Sequence, residues 1–328
     1  MISRRKQLVN LTFQSDSNPE AIIIGAPLDG TKNPTTTKMG DKLEEVTGIV
    51  QYAFGFYYIL PLTALKISST SSSLAKVTSL ESKRNCKAIT IGDYNVENLS
   101  PSSAHLPKIA AHIVNYLKTP DIIFLQEVQD NSGATDDGVV DANITLSTLS
   151  TAIKTLSNVN YAFVEVAASA GNLDGGAPGG NIRQAFLYRP EVISLYKPKQ
   201  GSATDATDIL PDLSLTFNPG RIEPANEAWA SSRKPLVAAW KAKGSKKPFF
   251  TVNVHFSSKG GGTSLQGDTR PPINGAIDKR VLQANVTGVR ILPCRNEIRT
   301  KLTTGYLVIH RKDPQARPLS GYHRGRRL

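Results

Sequence analysis

Apolar positions along this 328-residue chain fall into two regimes, with a change near residue 86. Before it, the pattern reads as short strands. Ala21-Ile22-Ile23-Ile24-Gly25 is a brief apolar run, and Val46-Thr47-Gly48-Ile49-Val50 leads into Ala53-Phe54-Gly55-Phe56-Tyr57-Tyr58-Ile59-Leu60-Pro61. Gly48 and Gly55 inside such runs predict bulges or bends. Asp29-Gly30 and Asn33-Pro34 mark turns, and the Ser/Thr tract that begins at Ser68 reads as a linker.

After Cys86 the chain alternates. Ala88–Asp93 predicts a strand. Leu106, Ile109, Ile113 and Leu117 recur at helical spacing within 104–117. Asp121–Gln126 predicts a second strand, and Leu146, Leu149, Ile153 and Leu156 a second helix. Strands are then expected at 161–166, 184–188, 192–196, 235–240 and 249–255. Two helices among many strands predict an α/β sandwich, and the strand-rich second half predicts a mixed sheet rather than a parallel one. Gly171–Gly180 carries five glycines and one proline and reads as a surface loop. It lacks the GxxxxGK[ST] order of a phosphate cradle.

The organisation expected is therefore a lead-in over 1–20, a β-rich module over 21–68, a Ser/Thr-rich linker over 69–85, a main domain over 86–288 and a basic tail over 289–328. No apolar run approaches the roughly 20 residues of a membrane span. Arg4, Arg5 and Lys6 open the chain without a following apolar region, so no signal peptide is read. Two cysteines, Cys86 and Cys294, give neither a disulfide framework nor a zinc spacing. The net charge is +12, of which +8 lies in Val289–Leu328, so a polyanion partner is suggested chiefly by the tail.

Three strand ends carry the chemistry. Glu127 follows Ile122-Ile123-Phe124-Leu125-Gln126, where a carboxylate is able to bind a hard cation such as Mg²⁺. Asn95 follows Ile89-Thr90-Ile91 and suits either a metal-bound water or the orientation of a carboxylate. His255 ends Phe249–Val254, and an imidazole there is expected to donate to a phosphate oxygen or to serve as acid or base near neutral pH. Arg183, Tyr188 and Arg233 flank strands, and Lys259 follows His255 by four residues; each is a candidate phosphate contact, with ordinary surface charge the equally cheap alternative. Four Asn-x-Ser/Thr triplets begin at Asn10, Asn98, Asn143 and Asn285.

The phrases "NVENL", "DIIFLQEVQDN", "GGNIRQAFLYRP", "SRKPLVAAW" and "VNVHFSSKGG" occur in one order over roughly 86–287. In them the chain resembles the endonuclease/exonuclease/phosphatase superfamily, and its extracellular-nuclease branch in particular. The resemblance implies a four-layer α/β sandwich, incomplete at the C-terminus, preceded by a small OB-like β module. It implies Mg²⁺ (or Mn²⁺ or Ca²⁺) on Glu127 with Asn95, a scissile phosphate held by His255, and Arg183 and Tyr188 near the substrate backbone. It further implies a phosphodiester hydrolase acting on nucleic acid, with DNA the expected partner, and an extracellular location. Tyr52, Phe54, Phe56, Tyr57 and Tyr58 would serve either as base-stacking rings or as cross-strand pairs.

The resemblance stops near Val289. A later Gly-Asp-x-Asn and a terminal Asp-His pair are missing, and Gly92-Asp93-Tyr94-Asn95 stands at the first strand rather than the later one. A shifted reading frame near codon 288 accounts for this, as does a lineage-specific basic tail. Two other readings remain beside the nuclease: a catalytically dead nucleic-acid-binding remnant, and a phosphatase or lipid phosphodiesterase on the same fold.

Overall fold

The computed structural model describes residues 22–71, 75–86, 88–171, 173–176, 179, 181–264, 267–269, 271–291, 298–303 and 306–311. The chain divides into two units, Met1–Lys76 with Ser258–Asp278, and Val77–Ser257 with Lys279–Leu328. The second unit is thus interrupted by a segment that folds with the first.

In the first unit, strands β1 (Ile23–Ile24), β2 (Lys42–Leu43), β3 (Gly48–Ala53), β4 (Phe56–Pro61) and β5 (Ile67–Ser69) form two small sheets, ordered β1-β4-β3 and β2-β5. Among the described residues they do not close into one barrel. Gly55 proves to be a hairpin residue: Ala53 pairs Phe56, and the two-residue loop Phe54-Gly55 has φ of 54° and 80°. Two positive φ values are what a type I′ turn requires, and they match the twist of the flanking strands. Tyr52 and Tyr57 are cross-strand partners with ring centroids 4.9 Å apart, and the Tyr52 hydroxyl donates to Asp268 at 2.9 Å. The aromatic cross-strand pair expected from the sequence therefore exists, while Phe54 at the hairpin tip is 92% exposed.

The second unit is mixed α/β. One sheet has the order β6-β7-β9-β8, from β6 (Ile91–Leu99), β7 (Ile122–Val128), β8 (Ala162–Glu165) and β9 (Arg183–Tyr188). Only β6 and β7 run parallel, joined through α1 (Leu106–Asn115), since parallel neighbours need a crossover. Pro107 stands in the first turn of α1, where its missing N–H is harmless. Helices α1 and α2 (Asn143–Ser157) bury Leu106, Ile109, Ile113, Leu146, Leu149 and Ile153 against Ile123, Leu125, Val128 and Leu187. Leu156, expected on the buried stripe of α2, is 54% exposed; it falls in the last turn, beyond the sheet's cover.

The opposite face of this sheet presents Ile122, Phe124 and Phe186 to a second sheet. That sheet contains β10 (Ile193–Leu195), β11 (Gly220–Arg221), β12 (Leu236–Ala242), β13 (Phe249–Asn253), β14 (Ile298–Thr303) and β15 (Tyr306–Arg311), in the order β10-β12-β13-β15-β14 with β11 also on β12. Trp240, fully buried, meets Phe186 edge-on at 5.6 Å and Tyr188 at 5.1 Å. Aromatic pairs at such angles add to the stability that area burial already provides. The outer face of the second sheet packs Val237, Ala239, Phe250 and Val252 under Leu215, Ile222 and Val286, the last from α3 (Ile277–Ile291).

The tail departs from its sequence reading. Within 289–328, the backbone of β14 and β15 forms a hairpin that continues the second sheet, with β15 antiparallel to β13. The continuous apolar run Tyr306-Leu307-Val308-Ile309 is compatible with a strand, and the loss of family wording there hid it. Among the described residues no helix is long and apolar enough to cross a membrane.

Candidate active site

The antiparallel register of β7 and β9 decides which candidates meet. Ile122 lies opposite Tyr188 and Val128 opposite Arg183, so the Glu127 end of β7 is the Arg183 end of β9. Tyr188 stands five strand positions away from Glu127, about 17 Å at the usual rise. It packs on Trp240, and burial raises its hydroxyl pKa. The structure does not bring Tyr188 to Glu127.

Glu127 occupies a bulge. From Asn95 to Leu99 on β6 the register passes Gln126 to Val128 on β7, and from Leu125 to Val128 it passes Ala185 to Arg183 on β9. Glu127 itself has φ 64°, and Glu97 and Asn98 opposite have φ 53° and 52°. A non-glycine residue in this region costs on the order of 1–2 kcal/mol, and a bulge re-aims a side chain out of the alternating pattern. Asn95 then fixes the carboxylate: its Nδ2 donates to Glu127 Oε1 at 2.9 Å while its Oδ1 accepts from the Glu97 N–H at 2.9 Å. Asn95 presents its amide hydrogens to Glu127 rather than its oxygen to an ion.

His255, just beyond β13, places Nε2 3.5 Å from Glu127 Oε1. Burial and the nearby Arg233 guanidinium push its pKa down to about 4, against the opposing pull of Glu127. The ring is neutral at pH 7, and the carboxylate facing Nε2 favours the tautomer with its proton there. Nδ1 is buried and has no hydrogen-bond partner. Arg233 is 8% exposed and donates from Nη2 to the Phe256 carbonyl at 2.6 Å, and its Nε is likewise buried without a partner. Burial lowers the Arg233 pKa while Glu127 acts to raise it.

The other basic candidates lie elsewhere. Arg183 is 2% exposed and its Nη1 donates to Glu165 Oε2 at 2.8 Å and to the Val140 carbonyl, while Nε donates to the Asn181 carbonyl at 3.1 Å. Glu165 in turn accepts from the Ala142 N–H at 2.8 Å, so this pair ties β8 and β9 to the start of α2. Lys259 is exposed and belongs to the segment that folds with the first unit.

Several supporting residues went unselected in the sequence. Gln126 donates to Asp93 at 2.7 Å and to Asn253 at 2.8 Å. Asn253, fully buried, donates to the carbonyls of Leu125 at 2.9 Å and Ala185 at 3.1 Å. Those carbonyls border the bulge, so Asn253 carries the second sheet's grip on the strand that turns Glu127 outward. Asp93 is partly desolvated, which raises its pKa despite the Gln126 bond. Gln184 satisfies its neighbours with its amide turned so that nitrogen donates to the Lys234 carbonyl at 3.1 Å and oxygen accepts from the His255 N–H at 3.0 Å. From α3, buried Gln283 accepts from the Ser257 N–H at 2.8 Å and donates to Ser232 Oγ at 3.0 Å, bracing the loops that carry His255 and Arg233. The signal for Gln126 and Asn253 was adjacency to the selected residues; nothing local pointed to Gln184 or Gln283.

As a cation site the donor set is sparse. Among the described residues no group of three or more His, Cys, Asp or Glu gathers to hold a metal. One oriented carboxylate does fit Mg²⁺, which commonly keeps several waters and takes one or two protein carboxylates plus substrate phosphate oxygens. It does not fit an ion caged by protein alone.

A family model described as "Domain of unknown function (DUF8508)" matches residues 3–72. No curated protein matches the chain in sequence. Among solved structures, the crystal structure of humanized D. rerio TDP2 by 14 mutations is similar at 15% identity over 62% of this chain and 55% of that chain, with a TM-score of 0.29. The chain thus spans about half the length of that solved relative, and a likeness of this size carries neither fold nor activity across.

Proposed function

We propose that the second unit is a metal-assisted phosphodiester hydrolase of the endonuclease/exonuclease/phosphatase type, a four-layer α/β sandwich, with DNA as its substrate. The observation that carries this reading is the convergence of Glu127, His255 and Arg233, from three separate strand ends, on one partly exposed spot. Glu127 would hold Mg²⁺, and Asn95 keeps its carboxylate turned toward the ion. The ion, when bound, supplies a Lewis acid for the phosphoryl oxygen and lowers the pKa of water. Arg233, with an unpartnered Nε, offers fixed positive charge where the phosphate gathers negative charge. His255, neutral at pH 7, donates from Nε2 to a phosphate oxygen without requiring the enzyme to bury a second cation.

The test is cleavage of fluorescently labelled DNA by the 328-residue chain with and without Mg²⁺. Magnesium-dependent cleavage that falls by about 10²-fold or more in Glu127→Gln is expected, the size seen when one electrostatic catalytic group is removed. Cleavage unchanged in that variant overturns the assignment. The sparse donor set favours a second reading, a nucleic-acid-binding remnant without turnover. Salt-sensitive DNA binding with no cleavage in any divalent metal selects it.

A further inference from the structure

At the opposite end of the second unit from Glu127, three segments distant in sequence meet. The end of β12 and the turn that leads to β13 read Lys241-Ala242-Lys243-Gly244-Ser245-Lys246-Lys247, four lysines in seven residues with no acid. It packs beside the end of β10, with Lys241 opposite Ser194 and the Lys243 N–H donating to the Val192 carbonyl at 2.8 Å. Cys86 lies against it as well, since a Cβ on Gly244 would stand 3.8 Å from Cys86 Sγ. Cys86 brings Lys83 and Arg84, both exposed, on a segment anchored to the start of β7 through Ser82 and Asp121. Between the turn and β10 runs an open depression of about 430 Å³ lined by Lys241, Lys243, Gly244 and Ser245 and by 190–194. Its acid, Glu191, is already paired with Arg189 at 2.9 Å.

We infer that this basic depression is a second docking surface for the same polymer whose phosphodiester the Glu127 end receives: it tracks the phosphate backbone of nucleic acid. This rests on the hydrolase reading only for its choice of polymer. Lysines are mobile point charges suited to phosphates without base readout. An anionic membrane would call for an apolar anchor beside the charges, and none of the exposed large hydrophobics among the described residues lies in 83–86, 190–194 or 241–247. The register sets the spacing. The Asn253 end of β13 lies opposite Leu236, and β12 runs six positions from there to Ala242, about 20 Å of strand or roughly six base pairs. A short oligonucleotide at the Glu127 end would not reach the lysines, and a long one would.

The experiment is fluorescence anisotropy of labelled duplexes of 6 and 24 base pairs binding to Glu127→Gln protein, which removes turnover, with and without K243Q/K246Q/K247Q. For the 24-mer the triple variant should weaken binding at least about tenfold at low salt. It should also flatten the slope of log K against log salt by about 3, close to one for each phosphate that a lysine no longer neutralises. Binding of the 6-mer should be unchanged. Lys83→Gln with Arg84→Gln should add to the weakening, which guards against a local defect in the turn. An unchanged slope for the 24-mer, or equal weakening for both lengths, overturns the inference. Hydrolysis of a small chromogenic phosphodiester by the triple variant in the Glu127 background should match that of the parent. If neither protein hydrolyses it, the catalytic reading fails, while the length-dependent slope still decides the docking surface.

Discussion

Two charged clusters in the second unit make opposite use of burial. Asp174 and Arg221 are 2% and 3% exposed, and their charges are met. Arg221 Nη2 reaches Asp174 Oδ2 at 2.6 Å and the Val166 carbonyl at 2.7 Å, while Lys234 Nζ reaches Asp174 Oδ1 at 3.0 Å and the Leu173 carbonyl at 2.9 Å. The Glu127 cluster is looser. Its closest charge contact is 3.5 Å, the Glu127 backbone sits in the left-handed region, and His255 Nδ1 and Arg233 Nε are buried without partners. The first cluster is a clamp that joins Leu173 and Asp174 to β11 and to Lys234. The second carries strain and unmet hydrogen-bonding capacity, the marks of a place that a ligand completes.

The comparison breaks first if the clamp is not structural. Asp174→Ala would leave Arg221 as an uncompensated buried charge, and such losses run to about 3–5 kcal/mol. Urea unfolding should show that loss. Glu127→Ala, which removes a partly exposed carboxylate from a strained position, should cost less than about 1 kcal/mol by the same measurement. Equal losses would mean that the two clusters do the same work.

Acid separates them next. The folded-state pKa of His255 is near 4, below the ordinary 6.5, so the unfolded chain binds the extra proton first. Its contribution is fully present above pH 6.5, drains away as pH falls toward 4 and is gone below that. Two and a half units correspond to about 3 kcal/mol at most. The urea midpoint of wild type should therefore fall between pH 6.5 and 4 more steeply than that of His255→Phe. Parallel curves would show that burial and the Arg233 charge do not hold the ring neutral.

Periodicity made most of this fold legible. Ile109, Ile113, Leu146, Leu149 and Ile153 face the core as their spacing foretold, and the mixed pairing followed from the strand-rich second half. Registers and backbone torsions were not legible. Tyr188 belongs to the same phrase as Arg183, yet antiparallel pairing sends it to the far end of β7, and no local pattern reports that. Arg183 looks in sequence like any cation before a strand; its pairing with Glu165 depends on β8 and β9 meeting. Glu127 and His255, which the fold brings to 3.5 Å, were singled out because each ends an apolar run. The bulge between Leu125 and Val128, and Asn253 reaching across sheets to hold it, arise only from tertiary contact.

The smallest effect gives the sharpest comparison. If Glu127 tolerates φ 64° because the site requires its carboxylate there, removing the carboxylate and removing the strain are separable. Glu127→Ala discards the carboxylate and keeps a Cβ in the left-handed region. Glu127→Gly discards both, and glycine occupies that region freely. Glycine in an ordinary strand weakens the protein, so the usual expectation is that alanine is the more stable variant. Here the order should invert, with Glu127→Gly more stable than Glu127→Ala by about 1 kcal/mol, the steric cost of a left-handed L-residue. Both variants should lose magnesium-dependent cleavage equally. Should alanine prove the more stable, the bulge relaxes without cost, and Glu127 points outward through its packing alone. The inverted order, with activity lost in both, would place the strain at Glu127 itself. It would also show that the Asn253 bonds to Leu125 and Ala185 are what hold a disfavoured backbone in service of a side chain.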